Sequence, residues 1–251
     1  MAVCPPTAPS PSADCQQKSI HRLIDVSSNM KKSFIIYAVA YLALLAYACW
    51  LLYSYPKLEL HLMLNSHHTA FQDVFFKYYS MLAEWPLYLL ALVPLLLKWK
   101  RIVIFFFICE ISSAIIVQIL KHIFDADRPA RAFEHFQGAV LPVVQGVHLH
   151  PSHSFPSGHS STFFVFFTCC ALMLASYFHR SGRHGYKALL LTAAAMLLLL
   201  SLAAVGGYSR IYLSQHFLSD VCMGSIIGFS VPCLLYYFCG NRLLKPKSGL
   251  I

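Results

Sequence analysis

Three short clusters in this chain carry the residue types that phosphoryl chemistry uses. The first runs Lys121-His122-Ile123-Phe124-Asp125-Ala126-Asp127-Arg128-Pro129, and the second is Pro156-Ser157-Gly158-His159. The third starts at Ser209-Arg210, reaches His216 after five intervening residues and Asp220 after three more. Lys121, Arg128 and Arg210 supply three cations. Arginine forks onto phosphate oxygens at two points, and lysine adds a point charge. Ser157-Gly158-His159 reads as a helix start. Free backbone N–H groups and the positive end of the helix dipole attract anions there, and Gly158 permits close backbone approach. Together these groups describe a phosphate site.

The two histidines suit different tasks. If His216 and Asp220 are both helical, four residues apart, they share a face. Asp220 then holds the proton of one ring nitrogen and leaves the other free to attack phosphorus. His159 is placed to protonate the leaving oxygen and later to activate water. Each fragment taken singly has a simpler explanation. Lys121 alone is a snorkelling interfacial residue, Arg128-Pro129 a turn, Ser157-Gly158 a helix cap, and His216 a satisfied polar residue. Asp220 resists this, because it stands about one turn inside an apolar run, where a charge is costly and takes a partner. Three such clusters, in order and at one end of the apolar runs, favour function.

The elements that must position them are written in the composition. The chain has 251 residues, 58% of them hydrophobic and only 12% charged, and a mean hydropathy of +0.60. Soluble domains carry about 25% charge. A soluble globular enzyme, a disordered chain and a small disulfide-stapled module are thereby excluded. A membrane-spanning helix needs about 20 apolar residues. Six runs qualify: Ser33–Tyr53, Met81–Leu97, Ile102–Leu120, Ser160–Phe178, Ala188–Gly207 and Phe217–Cys239. The second is short and holds Pro86 and Pro94. The expectation is an all-α fold, a six-transmembrane helical bundle formed by residues 33–251. Residues 1–32, Pro- and Ser-rich over Pro5–Ser12, read as a flexible tail without a signal peptide.

The net charge of +9 would suggest nucleic acid in a soluble protein. Here it reports topology. Lys18, Arg22, Lys31, Lys32, Lys98, Lys100, Arg101, Arg180, Arg183, Lys187, Arg242, Lys245 and Lys247 fall on one side of the runs. Lys57, Lys77, Lys121, Arg128, Arg131 and Arg210 fall on the other. Positive charge marks the cytoplasm, so both termini are expected inside and the three clusters outside.

Other features take humbler readings. Phe71, Val74, Phe75, Tyr78, Tyr79 and Leu82 recur at helical spacing, with Asp73 and Lys77 off the stripe. They predict an interfacial amphipathic helix on the outer side, packed against the bundle, with a second use as a surface where lipid reaches the site. The scattered cysteines read as small hydrophobes. His148, His150 and His153 lack acidic or Cys partners nearby, so a loop rim or substrate contact is favoured over a metal site. Asp125 and Asp127 are expected to tune or pair with Lys121 and Arg128. Arg131 is balanced between an anion contact and a solvated charge. Glu110, mid-run, is expected to face the bundle in a structural hydrogen bond. Phe105–Phe107 are lipid-facing or core.

With these residues in view, the chain resembles the type 2 phosphatidic acid phosphatase superfamily. Its signature of Lys-x6-Arg-Pro, Pro-Ser-Gly-His and Ser-Arg-x5-His-x3-Asp stands here without departure. The resemblance implies His216 as nucleophile through a phosphohistidine, Asp220 orienting it, and His159 as general acid. It implies phosphate binding by Lys121, Arg128, Ser157, Gly158 and Arg210. It implies no cofactor and no metal, the cations neutralising the transferring group. The expected activity is hydrolysis of a membrane lipid phosphate or diphosphate at the outer face. The compact layout with short loops is similar to bacterial members, which points to the cytoplasmic (inner) membrane. Substrates of such members include undecaprenyl diphosphate, phosphatidylglycerol phosphate and lipid A phosphates. The partners implied are the bilayer and the lipid, with no nucleic acid. Two alternatives stay open: a lipid phosphotransferase using the same intermediate, and a non-enzymatic membrane protein keeping the fold. Intact His159, His216 and Asp220 weigh against the second.

Overall fold

The computed structural model describes residues 13–84, 99–134, 136, 138–180 and 186–243, with Tyr88, Val93 and Leu96 as isolated positions. Among the described residues the secondary structure is all helical. The helices are α1 (Ala13–Ser54), α2 (Lys57–Leu64), α3 (Ala70–Met81), α4 (Lys100–Phe124), α5 (Pro129–Phe133), α6 (Gly158–Arg180), α7 (Tyr186–Tyr212) and α8 (Leu218–Leu243).

Among the described residues, five segments are long and apolar enough to cross a membrane: Phe34–Ser54, Lys100–Phe133, Gly158–Tyr177, Tyr186–Tyr212 and Leu218–Cys239. They match five of the six expected runs. The remaining run, Met81–Leu97, starts at the last residue of α3, and beyond Glu84 it lies outside the described residues apart from the three isolated positions. At the N-terminus, helical backbone already begins at Ala13, well inside the segment expected to be a flexible tail. The reason is local. The proline-rich stretch ends at Pro11, and neither Pro nor Gly occurs from there to Ser54. Residues 1–12 lie outside the described residues.

The central helix is α6. Phe163, Val165, Cys169 and Ala171 have no exposed surface. It packs against α4, α7 and α8, with α1 closing the bundle. The closest approach, α6 against α8, depends on glycine. A Cβ at Gly224 would stand 2.4 Å from the Ser157 carbonyl oxygen, and one at Gly228 2.5 Å from that of Ser161. The four-residue spacing puts both glycines on one face of α8, the small-residue pattern that lets two apolar helices touch along their backbones. On the other side of the contact, Tyr41 of α1 stacks on Phe229 of α8 at 4.3 Å between ring centres, and its hydroxyl lies 3.2 Å from Ser225 Oγ.

Outward, α4 presents Ile104, Ile108, Ile111, Ile115 and Ile119, all exposed and recurring every three to four residues. That apolar stripe is the lipid-facing pattern. Phe105 and Phe106 are core and Phe107 is exposed, so the Phe run divides between both expected fates. Glu110 lies on the bundle side as expected, accepting hydrogen bonds from Thr162 Oγ1 and the Tyr88 hydroxyl, each at 2.6 Å. Cys109, Cys169 and Cys222 are buried, while Cys49 is exposed.

A helix forms where the aromatic stripe predicts one. Thr69 caps α3 by accepting from Gln72 N at 3.2 Å. The stripe itself divides. Tyr79 packs, donating to the Leu202 carbonyl at 2.9 Å and stacking on Phe163. Phe71, Val74 and Tyr78 are 77%, 57% and 62% exposed, so packing against the bundle accounts for only one flank of it. Phe76 and Ser80 are the residues that α3 buries instead.

Candidate active site

The end of α4, the start of α6, the end of α7 and the start of α8 meet at one end of the bundle. Around them lies a cavity of about 390 Å³. Its lining includes Lys121, Arg128, Gly158, His159, Arg210 and His216, drawn from all three sequence clusters. Ser157 and Asp220 are fully buried just behind this lining.

The local backbone explains how each spacing works. In the first cluster, α4 ends with Asp125 in the left-handed region (φ 33°) and its N–H on the Lys121 carbonyl. The chain then runs beside residues 151–154: Arg128 N donates to Pro151 O at 2.9 Å, and Ser154 N to Ala126 O at 2.8 Å. Lys121 and Arg128 are thereby held together across a reversal of the chain. In the second, Ser157 stands at the N-cap of α6, its Oγ accepting from Ser160 N at 3.4 Å and Ser160 Oγ at 2.9 Å. The nearest side-chain atom to a Cβ built at Gly158 is Val117 Cγ1 at 3.8 Å, so no protein group crowds that backbone. In the third, the Arg210 carbonyl accepts from both Gln215 N (2.9 Å) and His216 N (3.1 Å). The five residues after Arg210 thus wrap the end of α7 and return His216 to it, helped by Ser214 at φ 52°.

His216 lies in this turn, ahead of α8, and only Asp220 is helical. The expected pairing on one helical face is therefore corrected: the two meet across a helix start. His216 Nδ1 is 3.6 Å from Asp220 Oδ2 and makes no hydrogen bond among the described residues. The contact is one of charge at this distance, and it leaves Nε2 as the ring nitrogen away from the carboxylate. Asp220 Oδ2 accepts from Ser154 Oγ at 2.5 Å and Phe217 N at 2.9 Å, and Oδ1 from Ser219 Oγ at 3.0 Å. Three donors on one carboxylate fix its direction. Burial pushes the His216 imidazole below its ordinary value, Arg210 and Arg128 push the same way, and Asp220 opposes them. The ring is kept neutral and nucleophilic at neutral pH.

The arginines are fixed from behind. Arg128 Nε donates to Ser152 O at 2.9 Å and Nη1 to Gln215 Oε1 at 3.0 Å. Gln215 in turn donates from Nε2 to His148 O at 2.7 Å, linking Arg128 to the preceding loop. Arg210 Nη1 donates to Ser80 Oγ of α3, while its Nε has no partner among the described residues. With both guanidiniums only 8% exposed, their remaining donors are concentrated on the cavity.

Several residues that the three motifs do not specify belong to the site. Ser80, Glu84, Gln215 and Ser154 hold or face its central groups, and Lys77 adds a cation to the cavity lining. Ser154 and Gln215 stand beside motif residues, which was their only sequence signal. Asp125 and Asp127 do not pair with Lys121 and Arg128 as expected. Asp125 meets His153 at 3.1 Å and Asp127 meets Arg131 at 3.3 Å. Asp127 finds its partner one turn on, and Asp125 finds its own across the paired loop segments 125–128 and 151–154, while burial keeps Arg128 behind the loop. Arg131 is thus half of an exposed ion pair. His148 and His150 line the cavity, their rings 4.8 Å apart, but His153 is drawn off to Asp125.

Comparison with known proteins agrees with this geometry. The family description "PAP2 superfamily" matches residues 101–243, which hold all three clusters, and the chain belongs to that family. It is similar to LpxE of Aquifex aeolicus, with 25% identity and a TM-score of 0.54, covering 72% of this chain and 95% of that one. It shares its fold with the first transmembrane PAP2 type phosphatidylglycerolphosphate phosphatase of Bacillus subtilis. There the identity is 18% and the TM-score 0.54, covering 86% of this chain and 96% of that one. A comparison with curated proteins finds no match. The spans and the family together make this an integral membrane protein.

Proposed function

We propose that the protein is a membrane lipid phosphatase that hydrolyses a phosphate monoester or diphosphate of a lipid at the outer face of the membrane. The observation that carries this reading is the meeting of His216, His159, Lys121, Arg128 and Arg210 on one cavity, with Asp220 behind His216. The substrate phosphate sits against the three cations and the start of α6. His216 Nε2 attacks phosphorus as the lipid oxygen leaves with a proton from His159. Water then attacks the phosphohistidine, giving its proton to His159, and phosphate departs. Lys121, Arg128 and Arg210 offset the charge on the transferring group, so the reaction calls for no metal.

Several features support a lipid substrate on the outer side. The cavity sits at one end of the spans, opposite the ends rich in Lys and Arg. The cavity is walled by α3, whose other flank carries exposed Phe71, Val74 and Tyr78 suited to the bilayer interface. One fold relative is a phosphatidylglycerolphosphate phosphatase. That lipid phosphate, undecaprenyl diphosphate and lipid A phosphates form the substrate panel, and the bacterial inner membrane is the proposed location.

The test is phosphate release from this panel by purified protein in detergent, with EDTA present. Wild-type protein should release phosphate from at least one member, and His216→Ala should abolish turnover without lowering the melting temperature. Release that persists in His216→Ala removes His216 as nucleophile. Transfer of the phosphate to an added lipid alcohol, in place of release, would identify the phosphotransferase.

A further inference from the structure

Glu84 and His159 face each other at the cavity. Glu84 Oε1 lies 3.9 Å from His159 Nε2. They come from different elements, Glu84 from the turn after α3 and His159 from the first turn of α6. Glu84 belongs to none of the three sequence clusters. It is the one carboxylate in the described lining of the cavity, since Asp220 stands behind His216.

The surroundings make a carboxylate there consequential. Lys77 of α3, Lys121 of α4, Arg128 and Arg210 of α7 all line the same cavity. The remaining titratable groups are the rings of His148, His150 and His216. Four cations oppose an imidazolium by like charge, yet a general acid must begin the reaction with its proton on. An opposite charge within about 4 Å favours the charged form of an imidazole. At 3.9 Å the carboxylate is also beyond hydrogen-bond distance. The ring N–H is thus not tied to Glu84 and remains available to a substrate oxygen.

We propose that Glu84 is the positioning residue of the general acid: its carboxylate offsets part of the cationic field at His159 and favours the imidazolium that gives its proton to the leaving oxygen. The proposal rests on the phosphatase reading above. In the first step the His216–phosphorus bond forms and the phosphorus–oxygen bond breaks. The electron pair goes to the lipid oxygen, and the His159 proton neutralises it as an alcohol. The resulting neutral His159 takes a proton from water in the second step, which returns it to the form that Glu84 stabilises. Glu84 itself exchanges no bond.

Leaving groups separate this role from a structural one. An alkoxide needs the proton, whereas nitrophenolate leaves without it. The experiment compares octyl phosphate with 4-nitrophenyl phosphate in detergent for wild type, Glu84→Gln and Glu84→Asp. With Glu84→Gln, kcat on octyl phosphate should fall on the order of 10- to 100-fold, part of the full contribution of a general acid. The rate on 4-nitrophenyl phosphate should stay near wild type. The alkaline fall of the octyl phosphate profile should move to lower pH, and Glu84→Asp should recover most of the loss. Equal losses on both compounds, or none on octyl phosphate, overturn the role of Glu84 alone. A wild-type protein that cleaves neither compound removes the phosphatase reading and this proposal with it.

Discussion

The backbone N–H of Ser157 donates to the backbone carbonyl of Asp220 at 3.0 Å. This one bond ties the cap of α6 to the first turn of α8. It fixes the distance between the start of α6, the proposed phosphate site, and the pair formed by His216 and Asp220. Anything that parts the two helices here moves the proposed binding groups and the proposed nucleophile relative to each other.

Gly224→Ala should do that. The added Cβ would stand 2.4 Å from the Ser157 carbonyl, which is backbone and cannot swing aside. Overpacking of this kind costs about 1–3 kcal/mol. A lower melting temperature together with a large fall in kcat is expected. Gly207→Ala is the comparison, because its nearest neighbour, Val221 Cγ1 at 3.0 Å, is a side chain that can turn away. Thermal melts and kcat for the pair give the ranking, and equal damage would contradict it.

Ser154→Ala removes the 2.5 Å hydrogen bond to Asp220 Oδ2. Hydrogen bonds to charged groups are worth about 1.5–3 kcal/mol. The carboxylate would lose part of its hold beside His216, and kcat should fall on the order of tenfold with KM little changed. Steady-state kinetics on any accepted lipid phosphate decide it, and a change in KM alone would assign Ser154 to binding.

Arg210→Lys keeps the charge but not the fork. The Nη1 contact with Ser80 and the free Nε donor belong to a planar guanidinium, and an ammonium cannot supply both directions. A loss in kcat/KM close to that of Arg210→Ala is expected, with kcat lowered because the contact strengthens in the transition state. Near-normal kinetics in Arg210→Lys would mean that only net charge matters at this position.

His61 gives a pH prediction. It is 2% exposed, packed edge-on against Phe217. Burial lowers its pKa from 6.5 to about 4, with Asp220 pulling the other way. Between those values the unfolded ring binds a proton that the folded ring refuses. The stability it contributes is therefore complete above about pH 6.5 and is lost as pH falls toward 4. His61→Leu should flatten the fall of melting temperature over that window relative to wild type. Parallel curves for the two proteins would show that His61 does not titrate on unfolding.

The site was legible in the sequence where one element carries several of its groups. Ser157, Gly158 and His159 open one helix, and Arg210 and His216 flank one helix end, so fixed spacings betray them. Five apolar runs were legible for the same reason: a span must be continuous. Glu84, Ser80 and Lys77 left no such trace. Ser80 reaches Arg210 across 130 residues, and only the folding of α3 against α7 brings them together. Asp125 and Asp127 misled because closeness in sequence to Lys121 and Arg128 does not decide pairing. His153, from the adjoining loop, and Arg131, one turn on, are reached without burying the acids. The α3 stripe was read as a packing face because aromatic periodicity looks the same whether protein or lipid covers it.

Asp220 also closes the start of its own helix, since Oδ2 accepts the Phe217 N–H three residues before it. Removing that carboxylate would unravel a turn as well as disarm the imidazole. An inert form meant to capture a substrate-bound complex is therefore better made at position 216, where the architecture of the bundle end would survive the change.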